Sequence, residues 1–234
     1  MKSKIIFILL LQIFISHTSY CQSGNVKYKI TIHRFSNNKD EEMNILLNKM
    51  FEAAEKQEFT LQFSNDKSIF KNNNKLIANV NSDENKINNV ATAAFTSSTI
   101  IYDKINGILY DLNSNDALTT IKTNDSLWDI TNESKTIDKY KCFKALYTVH
   151  FLTRRGEKNS RIITAWFAPS LPYGYGPKNY TGLPGLILEL IDKETTYLAT
   201  SIEISNKTIN IEIPKGKIIT KEVYEAKLKS QMGM

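Results

Sequence analysis

Histidine is almost missing from this chain of 234 residues: there are three, and only His33 and His150 lie beyond the first 21 positions. Neither has a second donor at the spacing of a metal site, and a protein-bound metal needs several ligands. No metal and no cofactor are therefore expected. Cysteine is as scarce, with Cys21 and Cys142 alone. Cys142 and His150 fall on one candidate strand, about 26 Å apart at the usual rise per residue, so they form no dyad within it. The formal charge is +6. Lys and Arg are spread thinly rather than clustered, which excludes a nucleic-acid surface. After residue 21 no apolar run is long enough to cross a bilayer.

What precedes that point has its own character. Lys2 and Lys4 lead into an apolar run, Ile5 to Ile15, broken only by Gln12. Small residues, Ser19 and Cys21, sit at −3 and −1 of a cleavage site before Gln22. This is the pattern of a secretory signal peptide over 1–21. A lipoprotein, with Cys21 carrying the lipid, is the rival, and Tyr20 and Thr18 fit it poorly. The mature chain, 22–234, reads as one domain with a real core, the whole sequence being 41% hydrophobic. An oxidising compartment would permit disulfides, but Cys142 would have no partner. A buried, free and slow-reacting thiol is expected.

Proline and glycine are rare and concentrated. Ala168 to Gly185 holds four of the five prolines and four of the nine glycines, with Tyr173, Tyr175 and Tyr180 among them. Such a segment is neither helix nor central strand. Arg161–Phe167 before it and Leu186–Ile191 after it both read as buried strands, so an ordered loop is predicted. Gly182 and Gly185, around Leu183-Pro184, suggest a tight turn, with Leu183 inserted beside Trp166.

Elsewhere the two-residue period dominates. Asn25–Phe35 places Val26, Tyr28, Ile30 and Ile32 on one face. Glu58–Ser64, Ser68–Lys71, Leu118–Lys122, Ser126–Ile130, Tyr140–Leu152, Tyr197–Ile204 and Thr208–Ile213 read as further strands. Asn106-Gly107 marks a hairpin within Thr99–Leu112. One segment changes period: over Asp40–Gln57, Met43, Leu46, Leu47, Met50, Phe51 and Ala54 follow helical spacing, with Asp40 as N-cap. Asn72–Asn89 reads as an Asn-rich loop with a short strand at Leu76–Val80. Thr220–Gln231 reads as a short C-terminal helix. The fold class is mainly β, α+β by strict count. A strongly curved antiparallel sheet or partial barrel is predicted, with one packed helix at about 40–57 and a short C-terminal one.

Candidate functional residues follow from the loop. Trp166, Tyr173, Tyr175 and Tyr180 offer aromatic faces with polar tips, suited to peptides or glycans; they serve equally well as staples between loop and sheet. Glu189, inside LILELI, must be paired or hydrogen-bonded if both sheet faces are covered. Arg161 and Lys178 are its candidate partners. No nucleophile–base pair is evident, which points away from catalysis. An acid/base role for Glu189 on glycans or peptides is the alternative, and glycoside hydrolysis would need a second carboxylate.

Tyr180-Thr-Gly-Leu-Pro-Gly-Leu-Ile-Leu-Glu189 resembles the signature of the GLPGLI family, exported proteins of Bacteroidetes-type bacteria. Ala165-Trp-Phe-Ala-Pro169, Gly176-Pro177, Trp128-Asp-Ile130 and Tyr140-Lys-Cys142 followed by Lys144-Ala145 resemble further elements of it. The resemblance covers 127–191 and makes Gly182, Leu183, Pro184, Gly185, Leu186 and Ile187 its structural motif. It implies a mostly β domain in the periplasm or on the cell surface, and no established reaction. The reading is an exported, non-catalytic binding or accessory protein of the cell envelope. Its partner would be an envelope protein, a peptide or a glycan.

Overall fold

The computed structural model describes residues 23–34, 40–64, 66–73, 83–96, 98–112, 118–122, 128–153, 156–214, 218–220 and 223. The segment read as a signal peptide lies outside the described residues.

Among the described residues, twelve strands form one sheet, and its edge strands do not pair with each other. The N-terminal strand β1 (Ser23–Ile32) sits at its centre. On one side of β1 run β2 (Glu58–Phe63), β3 (Lys67–Asn72), β4 (Thr99–Asp103), β5 (Ile108–Leu112) and β6 (Leu118–Lys122), each beside its predecessor. On the other side the order runs backwards. β11 (Thr195–Ser205) lies next to β1, followed by β10 (Leu186–Asp192), β9 (Lys158–Ala168), β8 (Tyr140–Leu152) and β7 (Asp129–Ile137). All these pairings are antiparallel. A short β12 (Ile218–Thr220) adds to β6 in parallel. The fold is thus mainly β, with the sheet open.

The alternation of β1 decides what is inside. Val26, Tyr28, Ile30 and Ile32 are buried, while Lys27, Lys29 and Thr31 are exposed. Their cross-strand partners Leu61 and Phe59 on β2 and Tyr197 on β11 continue the buried face. Phe59 stacks on Phe70 with ring centroids 5.4 Å apart, and Tyr197 meets both rings edge-on. Aromatic pairs in these geometries add to the area they bury.

Helix α1 (Glu41–Glu55) covers one end of that face. Asp40 caps it as read from the sequence, its carboxylate accepting from the amides of Glu42 and Met43. Of the residues at helical spacing, Phe51 and Ala54 are buried, but Met43 and Leu46 are each 43% exposed. The reason is a second helix. α2 (Asp83–Phe95) begins within Asn72–Asn89, the stretch read as a loop, and runs beyond it, and Phe51 packs on Phe95 at 5.1 Å. The two helices therefore share the cover, and α1 needs to turn only a narrow stripe inward. The Asn-rich composition hid α2, since asparagine favours turns over helix interiors. The strand placed at Leu76–Val80 lies outside the described residues.

Two further expectations need correction. Of the strand read at Ser126–Ile130, residues 126 and 127 lie outside the described residues and Trp128 precedes the strand; Asp129 opens β7, which continues to Ile137 through a register shift between Ile130 and Ser134. Thr208–Ile213 is no strand. It is an extended strap whose Ile211 is buried, with Ile209 and Ile213 beside it, against Ile69, Ile101, Ile108, Tyr110 and Leu112. This is the opposite face of the sheet from the helices, and it forms a second small core. The period-two pattern was real, but it pays out in side-chain burial without ladder bonds. The predicted C-terminal helix falls almost wholly outside the described residues, and Thr220 belongs to β12.

Removing side chain from the strap tests its weight. Ile211→Ala is expected to destabilise the protein by about 2–4 kcal/mol, the range for emptying a packed aliphatic site. Urea unfolding measures it.

Candidate functional site

The Pro/Gly segment after β9 is ordered and lies on the helix side of the sheet. Seven backbone bonds hold it to itself and to the start of β10, among them Leu186 N to Leu171 O (2.9 Å), Ile187 N to Tyr175 O (3.0 Å), Gly182 N to Gly174 O (3.0 Å) and Leu171 N to Ala168 O (3.0 Å). Gly182 has φ +91, where other residues are strained. Gly185 has another reason to be glycine: a Cβ there would lie 2.3 Å from the carbonyl oxygen of Ala168.

The loop tyrosines face the sheet. Tyr175 and Tyr180 are buried and Tyr173 is half-buried. Tyr173 and Tyr175 pack on Phe63, and Tyr175 also on Tyr102. Tyr180 packs on Trp128 and Tyr147. Trp128 in turn donates its indole N–H to Thr181 O at 2.9 Å. Leu183 and Leu186 are buried, and Ile187 fits under Gly176, whose Cβ would meet its side chain. These rings act as staples.

The ionic anchor of the loop is Asp192, which sequence reasoning passed over. Its side chain is 3% exposed, at the end of β10 on the loop side. The ammonium of Lys178 donates to its Oδ2, and the Tyr180 hydroxyl donates to the same oxygen at 3.3 Å. Arg161 Nε lies 3.2 Å from Oδ1. Burial raises the carboxyl pKa, and Lys178, Arg161 and Tyr180 together outweigh it, so the net shift is downward. Lys178 takes up φ +59 to reach this position. The signal that could have found Asp192 is its parity: it shares a face with Leu190, opposite to Glu189.

Glu189 therefore does not have the partners assigned to it from sequence. Arg161 and Lys178 serve Asp192. Glu189 binds Lys135 of β7, whose ammonium donates to both carboxylate oxygens at 2.7 and 2.8 Å. A register shift between Ile187 and Glu189 places Ile187 opposite Phe167 and Glu189 opposite Trp166. A bulge of this kind re-aims a side chain. Ile187 looks at the loop and Glu189 at the other face, so Glu189 does not anchor the loop base. Trp166 is on that other face too, away from Leu183.

Trp166, Glu189, Lys135, Lys144 and Leu198 form a mixed patch on this second face. Lys135 sits 4.4 Å above the Trp166 ring, a cation–π contact, and Lys144 pairs with Glu133 at 2.9 Å. Leu198 is 39% exposed and Ile162, further along β9, is 62% exposed. Cys142 forms the floor. It is fully buried, and burial first of all pushes its thiol up to about 11. The five residues singled out from sequence thus fall on two faces, with Tyr173, Tyr175 and Tyr180 on one and Trp166 and Glu189 on the other. Among the described residues no group of three or more His, Cys, Asp and Glu side chains comes together in a metal-binding arrangement.

A family model described as "Protein of unknown function (Porph_ging)" matches residues 152–189, which includes the Gly182–Ile187 motif; the family is Bacteroidetes-associated. No curated protein matches this chain. Two solved structures of PNGF-II, in space groups P21 and C2, are similar at 18% and 17% identity. Their TM-scores are 0.55 and 0.54, and each alignment covers 88% of this chain and 32% of that one. The chain thus spans about a third of the length of PNGF-II, and the likeness is one of fold. LprF from Mycobacterium bovis aligns over 82% of this chain and 88% of its own at 10% identity, with a TM-score of 0.25. No described helix is long and apolar enough to cross a membrane.

The two acids should behave differently on substitution. Asp192→Asn is expected to cost about 3–5 kcal/mol, because it strands buried cations. Glu189→Gln faces a partner that is 37% exposed, and is expected to cost about 1 kcal/mol or less. Because the folded pKa of Asp192 is depressed, its contribution is whole above the unfolded carboxyl value, about 3.9, and is lost as pH falls through the folded value. Thermal unfolding of the wild type and Asp192→Asn from pH 7 downward should show their difference shrinking on the acid side of that point. For Cys142, native protein should react with a thiol reagent only as fast as it opens, and stoichiometrically once denatured.

Proposed function

We propose that this chain is an exported, non-catalytic binding or accessory protein of the bacterial cell envelope and a GLPGLI-type protein, with 1–21 as its signal peptide and 22–234 as its working domain. The observation that carries the reading is the mixed sheet face around Trp166. The helices and the loop cover the other face and the strap lies against β3 to β5, whereas this patch keeps an aromatic ring, two ion pairs and apolar side chains at the surface. Such a combination suits recognition of an extended peptide, a protein surface or a glycan. Trp166 and Glu189 would make contact. Tyr173, Tyr175 and Tyr180 would support them from behind, by fixing the loop that joins β9 to β10.

The similarity to a Bacteroidetes-associated family of unknown function over 152–189 supports the coarser reading of a Bacteroidetes-type protein, which fits export. The fold shared with PNGF-II makes up about a third of a longer chain there, which fits a module that works beside other domains. The alternative of an enzyme using Glu189 as acid/base is the weaker one. Both carboxylate oxygens accept from the Lys135 ammonium, a pairing that suits a structural role at least as well as an acid/base one.

Arrays of envelope-derived glycans and of peptides test the reading. A ligand of the wild type should lose at least about tenfold in affinity to Trp166→Ala, as expected for a central aromatic contact, with the Tm within a few degrees of wild type. Turnover of an arrayed compound, or a ligand indifferent to Trp166→Ala, would overturn it.

A further inference from the structure

We propose that Tyr197, Asp192 and Arg161 enclose a binding site for one internal water molecule, which links the ionic anchor of the loop to the aromatic core of the sheet. The Tyr197 hydroxyl, Asp192 Oδ1 and Arg161 Nε are all buried, and none makes a hydrogen bond within the described residues. Arg161 Nε and Asp192 Oδ1 are 3.2 Å apart, so their charges attract, but the N–H is not aimed at the oxygen. Buried polar atoms are almost always satisfied, and three together call for a shared partner.

Register brings these groups to one place. Leu190 pairs with Tyr197 and Asp192 with Thr195, so Asp192 and Tyr197 are diagonal neighbours on the same face. Long side chains reach across that diagonal. Leu190 also pairs with Ala165 on β9, and Arg161, four residues before it, shares its parity. Lys178 closes the group from above, its ammonium on Asp192 and 6.0 Å from the Tyr197 ring. Burial first, and the Asp192 charge after it, raise the Tyr197 pKa. Its hydroxyl therefore keeps its proton and can both donate and accept.

Charge and hydrogen-bonding capacity select the guest. A cation would be pushed out by Arg161 and Lys178, and an anion by Asp192. The partners are an anionic acceptor, a guanidinium N–H and a hydroxyl, so the guest must be neutral and offer both donor and acceptor. The carboxylate is 3% exposed, so a guest here is shielded from bulk solvent. Water meets each condition, and internal waters characteristically make about three hydrogen bonds. The water would tie β9, β10 and β11 together beneath the loop. Tyr197 packs on Phe59 and Phe70, so the link would couple loop position to core packing.

Two measurements test this. A crystal structure with ordered solvent should show a water within hydrogen-bond distance of at least two of the three atoms. Tyr197→Phe should lower the Tm by about 2–4 °C, as Tyr28→Phe should, where the hydroxyl has a known partner in Ile187 O at 2.6 Å. An orphan hydroxyl behaves oppositely, since deleting it relieves an unsatisfied group. A Tyr197→Phe variant with an unchanged or raised Tm, or a crystal structure without that water, would overturn the proposal. If the variant does not fold, the crystal structure of the unaltered chain decides alone.

Discussion

Side chains alternate along a strand, and on β10 that alternation sends two acids three residues apart to opposite faces of one sheet. Asp192 meets the loop, and Glu189 meets the patch around Trp166. The register shift after Ile187 sets this phase. Without the extra residue, Leu188 would stand opposite Trp166, and Glu189 would turn under the loop. The energetic consequences diverge accordingly. Asp192 is surrounded by two cations and a phenol in the interior, so losing it leaves charge stranded. Glu189 shares one lysine with solvent nearby, so losing it leaves little behind.

The rest of the fold positions those two faces. β1 is bonded on both edges, to β2 and to β11, and so joins two meanders that are otherwise separate. Its buried face carries the main core. Cover is then distributed by region. α1 and α2 protect one end of the helix side, and the Pro/Gly loop protects the other. The strap at Ile209–Ile213 covers the opposite face under β3 to β5. The face under β8 to β11 keeps mostly exposed or half-buried side chains, with Cys142 buried among them. A sheet so built has a packed side and a more open side over the same four strands.

Much of this was legible in the sequence, and the failures have physical causes. Clean two-residue alternation located β1, β2 and β8, and Asn106-Gly107 located the β4–β5 hairpin, with φ +61 at Gly107. Proline and glycine content located the ordered loop. Alternation could not say whether a segment would find a ladder partner, which is why the strap looked like a strand. Local propensity could not see that α2 is held by packing on α1. The largest miss concerned partners. Sequence reading assigns Arg161 and Lys178 to Glu189, and they pair instead with Asp192, because a one-residue bulge reverses which acid faces them, and sequence does not announce a bulge. Lys135, 54 residues from Glu189, carried no local signal at all.

The central claim is that one face of β10 carries a structural anchor and the other a surface patch. Double-mutant cycles measure it most directly, with Lys178→Ala and Asp192→Ala for one pair and Lys135→Ala and Glu189→Ala for the other. The expected coupling is about 2–3 kcal/mol for Lys178 with Asp192, and below about 1 kcal/mol for Lys135 with Glu189. Equal couplings, or a larger one for Lys135 with Glu189, would contradict it.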